Sequence, residues 1–103
     1  MKPLKLIGLG NVEKDKRSYF IFEKSNNFLI FNEILEKIGI DKLFYDELGA
    51  IESKSNELDH INNDRFDIDV VYTQDRIILI VRGKQKDLER FKSLILDYSI
   101  MQE

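Results

Sequence analysis

The sequence of 103 residues contains no cysteine. A disulfide framework, a thiolate metal site and a cysteine nucleophile are therefore excluded. There is also no apolar run near the ~20 residues that a membrane-spanning helix requires. The amino-terminal stretch has only a short apolar segment and no small-residue cleavage site, so a signal peptide is not expected. These absences favour a cytoplasmic protein with no membrane partner.

A strong charge of either sign is missing as well. The formal net charge is −3, with 34% charged and 43% hydrophobic residues, which is typical of a globular chain. This balance argues against broad, non-specific binding to nucleic acid or anionic membranes. The length suits one domain with its own core, and we expect a single domain over residues 1–103.

The clearest periodicity lies in the second half of the chain. Apolar and polar side chains alternate over Phe66–Tyr72, which predicts a half-buried strand. The segment Arg76–Arg82 is almost continuously apolar and β-branched, which predicts a strand covered on both faces. A two-residue turn at Gln74-Asp75 joins them, although a three-residue loop remains an alternative because the turn lacks glycine.

This turn fixes the register of the predicted hairpin. It places one wholly apolar row on one face, and on the other face it sets Asp67 opposite Arg82. The expected pairs are Tyr72 with Ile77, Val70 with Leu79, Ile68 with Val81, Val71 with Ile78, Asp69 with Ile80 and Asp67 with Arg82. After Gly83, helical spacing begins near Asp87. Its apolar stripe comprises Leu88, Phe91, Leu94, Ile95 and Tyr98.

The first half of the chain repeats this order. We predict strands over Leu4–Leu9 and Ser18–Lys24, then a helix that begins after Asn26 or Asn27 and ends before Gly39. A shift of sixty positions superimposes Phe31 on Phe91, the other apolar positions of the two helices on each other, and Phe20 of the strand on Ile80. This match favours a tandem arrangement, with chance similarity of two amphipathic helices as the alternative.

The sequence therefore predicts an α+β fold with a four-stranded, mainly antiparallel sheet and two helices on one face. The element order is ββαββα, and the general shape is ferredoxin-like. The two ββα units cover residues 4–40 and 65–100. Between them, residues 41–64 are expected to form a short helix from Asp41 through Leu48, ended by Gly49, and a polar loop over Ala50–Asp64.

Two surfaces are candidates for binding. The sheet face opposite the helices is predicted to carry five apolar side chains, namely Phe20, Phe22, Val71, Ile78 and Ile80. An apolar patch of this kind is seldom left in water, so either the segment Leu43–Ile51 or another protein covers it, and we favour a partner protein. The second surface is basic and surrounds the start of the last helix, where free backbone amides attract anions. Its residues are Arg82, Lys84, Lys86 and Arg90.

Two other motifs give weaker evidence of a function. Gly8-Leu9-Gly10 follows a strand, but Glu13 stands where a dinucleotide-binding fingerprint requires its third glycine. His60 and Asp64 lie four residues apart, yet the surrounding carboxylates match no calcium loop and no nucleophile elbow is present. We therefore predict no metal site, no cofactor and no catalytic residue.

The function that these patterns favour is a small non-enzymatic interaction or regulatory module of the adaptor, regulator or toxin-neutralising type. It would associate through the second face of its sheet with a protein partner or with itself as a homodimer. The alternative is binding of nucleic acid or a phosphorylated ligand through the basic surface. A hydrolase or nuclease that uses carboxylates of the Glu57–Asp69 region is the third hypothesis.

Overall fold

A computed structural model describes residues 4–23, 36–37, 39 and 55–101 of the chain. These residues contain one sheet and one complete α-helix. The strands are β1 (Leu4–Val12), β2 (Arg17–Glu23), β3 (Glu57–Asn62), β4 (Phe66–Tyr72), β5 (Arg76–Gly83) and β6 (Ser99–Met101), and the helix is α1 (Gln85–Asp97). A short 3-10 turn, Glu13–Asp15, connects β1 to β2.

The six strands form a single sheet in the order β3-β4-β5-β2-β1-β6. Four of the five strand pairings are antiparallel. The short strand β6 follows α1 and pairs in parallel with the beginning of β1. The chain therefore returns from its last helix to the edge of the sheet where its first strand lies.

The prediction of a four-stranded sheet with two helices in the order ββαββα is wrong, although the fold is still a small α+β domain. The described residues contain two strands that the sequence pattern did not reveal, β3 and β6. The sequence predicts a polar loop at β3 because its two apolar residues, Leu58 and Ile61, lie on opposite faces of the sheet, so the strand has no apolar alternation. Strand β6 has only three residues, which is too short for any periodicity.

The predicted first helix lies almost entirely outside the described residues, as does the predicted short helix at Asp41–Leu48. Within the helix, only Glu36 and Lys37 are described, and both are helical. Gly39 has a φ of 80° and its N–H donates to the carbonyl of Glu36 at 3.1 Å. This left-handed conformation is the one expected of a glycine that follows a helix.

The predicted hairpin of β4 and β5 is confirmed, including every expected cross-strand pair. The two-residue turn Gln74-Asp75 is also confirmed, because the N–H of Thr73 donates to the carbonyl of Arg76 at 3.0 Å. The hydroxyl of Thr73 accepts the N–H of Arg76 at 3.0 Å. Neither Gln74 nor Asp75 has a positive φ, so this turn does not need the glycine that a type I′ turn favours, and the side chain of Thr73 stabilises it locally.

The turn between β3 and β4 is built in the same way. The side-chain oxygen of Asn63 accepts the N–H groups of Arg65 and Phe66 at 2.9 and 2.8 Å. The backbone N–H of Asn63 donates to the carbonyl of Phe66 at 2.9 Å. An asparagine in this position stabilises a tight turn through its own side chain, so Asn63 marks the hairpin.

The hydrophobic core lies between the sheet and α1. From the helix, Leu88, Phe91 and Ile95 are buried, as predicted from the helical stripe. From the sheet, one side of each central strand enters the same cluster, which contains Leu6, Phe20, Phe22, Phe66, Ile68, Val70, Tyr72, Ile77, Leu79 and Val81. The strands β2 and β4 alternate strictly between buried and half-buried residues, so a single face of the sheet supplies the core.

Candidate interaction surface

The sheet face that points away from α1, here called the second face, is organised in rows that cross the strands. One row is entirely apolar or glycine and consists of Leu58, Val71, Ile78, Ile21 and Gly8. The next row is mixed and consists of His60, Asp69, Ile80, Tyr19 and Gly10. A third row ends the face with Asn62, Asp67, Arg82, Arg17 and Val12. The second face thus changes from apolar to charged along the strand direction.

The apolar part of the second face is centred on β2 and β5. The side chains of Tyr19, Ile21, Ile78, Ile80 and Val71 are half-buried, whereas their neighbours on the opposite face are buried. Leu58 extends the apolar row to the edge strand and is 62% exposed. In the described part of the chain, α1 packs on the other face, and no helix lies over this one.

The structure corrects the expected membership of this surface. Val71, Ile78 and Ile80 lie on the second face, as predicted. Phe20 and Phe22 do not, because they are 1% and 0% exposed within the core on the α1 side. The sixty-residue shift aligned Phe20 with Ile80, but the strands place Phe20 opposite Leu79. Since side chains alternate between faces at every residue, this error of one position moved both phenylalanines to the wrong side.

Tyr19 and Ile21 occupy the positions on the second face that the sequence argument gave to the phenylalanines. The sequence contained one signal of this arrangement, the alternation of β2, which places Phe20 and Phe22 on the same face as each other and as Ser18. Phe20 and Phe22 are also the bulkier pair on a strand that pairs with the core hairpin. The sequence alone did not show which row of β2 joins the row of Leu79.

A charged cluster occupies one end of the second face. His60 of β3 contacts two carboxylates of β4, with Nδ1 at 2.6 Å from Asp69 Oδ1 and Nε2 at 2.8 Å from Asp67 Oδ1. Arg82 of β5 lies 3.3 Å from Asp69 and 3.7 Å from Asp67. The predicted pairing of Asp67 with Arg82 is therefore present, and the cluster spans three adjacent strands.

The cluster shifts the titration of two of its members. The pKa of His60 is raised, chiefly because its ring hydrogen-bonds Asp69; partial desolvation opposes this effect, and the charges of both aspartates add to it. The pKa of Asp69 is lowered, chiefly by the same hydrogen bond with His60, and the charge of Arg82 acts in the same direction. His60 and Asp69 therefore each stabilise the charged form of the other.

This geometry disfavours both general-base catalysis and metal binding by His60. Both ring nitrogens are engaged by carboxylates, so neither is free to accept a proton from a substrate. Arg82 also brings a positive charge to the site where a metal cation would have to bind. Within the described residues, no group of three or more acidic or histidine side chains is arranged to hold a metal ion.

The predicted basic surface is divided by the sheet. Lys84, Lys86 and Arg90 line one cavity at the start of α1, together with Asp64, Arg65 and Asp87. Arg82 lies apart from it, on the second face, where it contacts Asp67 and Asp69. The sequence pattern does not place Arg65 in this surface, because nothing in it marks the β3–β4 turn that brings Arg65 to the cavity.

The glycines of Gly8-Leu9-Gly10 lie inside β1, which continues to Val12. A dinucleotide-binding loop must instead leave its strand and enter a helix, whereas β1 leads into a 3-10 turn and then into β2. Both glycines belong to the second face. Within the described residues, no helix has the length and apolar character needed to span a lipid bilayer.

Comparison with known proteins gives no further guidance: no family model, no curated protein and no solved structure matches the chain.

Proposed function

We propose that this protein is a small interaction or regulatory module that binds a protein partner, in the first instance a second copy of itself, through the second face of its sheet. The observation that supports this proposal is the half-exposed apolar row on the side of the sheet opposite α1. Burying such side chains contributes about 25 cal/mol per Å² of apolar surface. Aliphatic and aromatic side chains that lie side by side on one flat face are suited to this kind of association.

The charges on the second face favour a second copy as the partner. At one end, Arg17, Arg82, Asp67 and Asp69 provide two charges of each sign. At the other end, Lys5 lies 3.8 Å from Glu23. Because positive and negative side chains are mixed at both ends, two copies related by a two-fold axis meet without a large like-charge repulsion.

The experiment compares the self-association of the parent protein with that of Ile80→Asp by sedimentation velocity over a range of concentrations. Ile80 adjoins the apolar row through Ile78 on the same strand, and a carboxylate buried in an apolar contact is strongly unfavourable. We expect the dissociation constant to rise by about ten-fold or more, which corresponds to ~1.4 kcal/mol. Association that withstands high salt would match an apolar interface.

Two controls separate loss of the interface from loss of the fold. Leu96→Asp adds the same charge to an exposed residue of α1, and it should leave association unchanged. Ile80→Thr keeps a β-branched side chain suited to a strand and should weaken association while preserving the circular dichroism spectrum. A parent protein that stays monomeric at high concentration would refute self-association, and so would equal association of Ile80→Asp and Leu96→Asp.

We propose anion binding as the second candidate function, with a nucleic acid or phosphorylated molecule as the ligand. It is supported by the cavity in which Lys84, the residue before α1, and Lys86 and Arg90 of α1 converge with Arg65 from the β3–β4 turn. In the described part of the chain, Lys84 and Lys86 make no ion pair. The carboxylates of Asp64 and Asp87 line the same cavity and reduce its positive potential, which is why this function ranks second.

Binding of a fluorescent single-stranded oligonucleotide tests this second candidate. If the cavity binds phosphates, affinity should fall steeply as salt increases, and Lys84→Ala/Lys86→Ala should weaken it by about ten-fold at low salt. The control Lys14→Ala/Lys92→Ala removes the same charge from exposed positions outside the cavity. Equal loss in both double variants would show a non-specific charge effect and would exclude a site in the cavity.

A further inference from the structure

His60 connects the outermost described strand of the sheet to the strand beside it. Strand β3 pairs with β4 alone among the described strands. On the second face, His60 lies directly opposite Asp69 and diagonally opposite Asp67. Its two ring nitrogens contact a different carboxylate each, at 2.6 and 2.8 Å. A single side chain therefore bridges two positions of the neighbouring strand.

The number of available protons decides whether both contacts are attractive. A neutral imidazole has one N–H donor and one bare nitrogen, whereas the imidazolium cation has two donors. A carboxylate only accepts hydrogen bonds. When the ring loses its proton, one nitrogen therefore faces a carboxylate oxygen with no hydrogen between them, and that contact becomes repulsive.

The other charged groups around the ring fix the charge balance of the cluster. Asp67 and Asp69 approach from β4 and Arg82 from β5, and Arg17 of β2 acts on Asp69 from a greater distance. Asp64 and Arg65 share the shallow cavity beside the ring. With the imidazolium present, His60 and Arg82 balance the two aspartates. Without it, the four groups in contact, His60, Asp67, Asp69 and Arg82, have a net charge of −1.

We propose that His60 is a proton-dependent fastener of the edge strand, which holds β3 to β4 while its ring is an imidazolium and loosens β3 when the ring is deprotonated. Loosening exposes the outer backbone edge of β4, which is then able to pair with another strand. His60 and its two aspartates lie at one end of the second face, but this device concerns the pairing of β3 with β4 and does not rest on the proposed self-association.

The direction of the pH effect follows from the raised pKa of His60. The folded state binds the proton more tightly than the unfolded state does, so the stabilisation is fully present below the ordinary histidine pKa of ~6.5. It is lost as the pH rises through the higher pKa of the folded state. The fastener therefore operates while the ring is protonated and is absent once the pH exceeds the raised pKa of His60 in the folded state.

The effect on β3 is a modulation and not a complete release. The backbone hydrogen bonds with β4 remain, and the hydroxyl of Tyr72 hydrogen-bonds Asp59 of β3 on the core side. The ring of His60 is partly exposed to water, which weakens ionic contacts. We therefore expect the equilibrium constant for opening of β3 to rise by roughly two- to five-fold between acid and alkaline pH.

Nuclear magnetic resonance tests this proposal directly, because the chain has a single histidine and its signals are unambiguous. The ring should titrate above the ordinary value, and both ring nitrogens should carry protons at pH ~6. Hydrogen exchange of the β3 amides, corrected for the intrinsic rate, then gives the opening constant at each pH. A ring that titrates at or below the ordinary value would overturn the proposal.

Variants distinguish the fastener from a general effect of pH on the protein. His60→Gln has one neutral amide donor group and should make the opening constant of β3 independent of pH, and Asp69→Asn should lower the pKa of His60. Asp97→Asn removes a carboxylate from an exposed position of α1, away from the second face, so this control should behave as the parent. If β3 opens with the same pH dependence in His60→Gln as in the parent, the proposal is wrong.

Discussion

The ring of Phe20 lies against that of Phe91, with their centroids 5.5 Å apart and their planes at 48°. This tilted arrangement is one of the favourable geometries for aromatic pairs. Phe91 makes a similar contact with Phe66, at 5.6 Å and 54°. A single helix residue thus touches both β2 and β4 on the face of the sheet that forms the core.

The first prediction concerns the energy of this aromatic contact. Phe91→Ala should reduce the free energy of unfolding by ~3–5 kcal/mol, because it leaves a cavity among buried side chains. Chemical denaturation measures the change. Leu96→Ala, at a position of the same helix that is 40% exposed, should change stability by less than about 1 kcal/mol. Similar losses in the two variants would mean that the core face of α1 is wrongly assigned.

The second prediction concerns the turn between β4 and β5. Thr73→Val keeps the shape of the side chain but removes the hydroxyl that accepts the N–H of Arg76. We expect a loss of ~1 kcal/mol, as for other intramolecular hydrogen bonds. Thr73→Ser retains the hydroxyl and should preserve most of the stability. Equal losses in the valine and serine variants would contradict a role for this hydrogen bond.

The third prediction compares two glycines of the sheet. A Cβ added at Gly83 would lie 2.7 Å from the carbonyl oxygen of Arg65, whereas one added at Gly10 would meet no atom within 4 Å. Gly83→Ala should therefore cost ~1–3 kcal/mol, because backbone must move. Gly10→Ala should be neutral or stabilise the strand by up to about 1 kcal/mol. Thermal unfolding of the two variants checks the order, and a stable Gly83→Ala would refute the close approach.

The fourth prediction concerns alkaline pH. Burial raises the pKa of Tyr72, and its hydrogen bond to Asp59 acts in the same direction. The unfolded chain releases the proton near pH 10, whereas the folded protein retains it, so stability should fall as the pH rises above ~10. Denaturation of the parent and of Tyr72→Phe at several pH values tests this, because the variant should lose less stability over that range. A parallel decline in both proteins would exclude Tyr72 as a cause.

The local sequence pattern was sufficient to predict the β4–β5 hairpin and the helix that follows it. The alternation of Phe66–Tyr72, the β-branched run after Arg76 and the stripe through Phe91 gave the pairing of β4 with β5 and the buried side of α1, all of which the structure confirms. These features follow from contacts between residues that are close in sequence. Side-chain periodicity records such contacts directly.

Tertiary structure decided the remaining features. The partner of β2, the short parallel strand β6 and the edge strand β3 depend on contacts between distant parts of the chain. Periodicity shows that a strand has two different faces, but the register between distant strands decides which face meets the core. That register buries Phe20 and leaves Tyr19 half-exposed. It also brings His60 between Asp67 and Asp69, because strand pairing and not sequence spacing determines which charged side chains become neighbours.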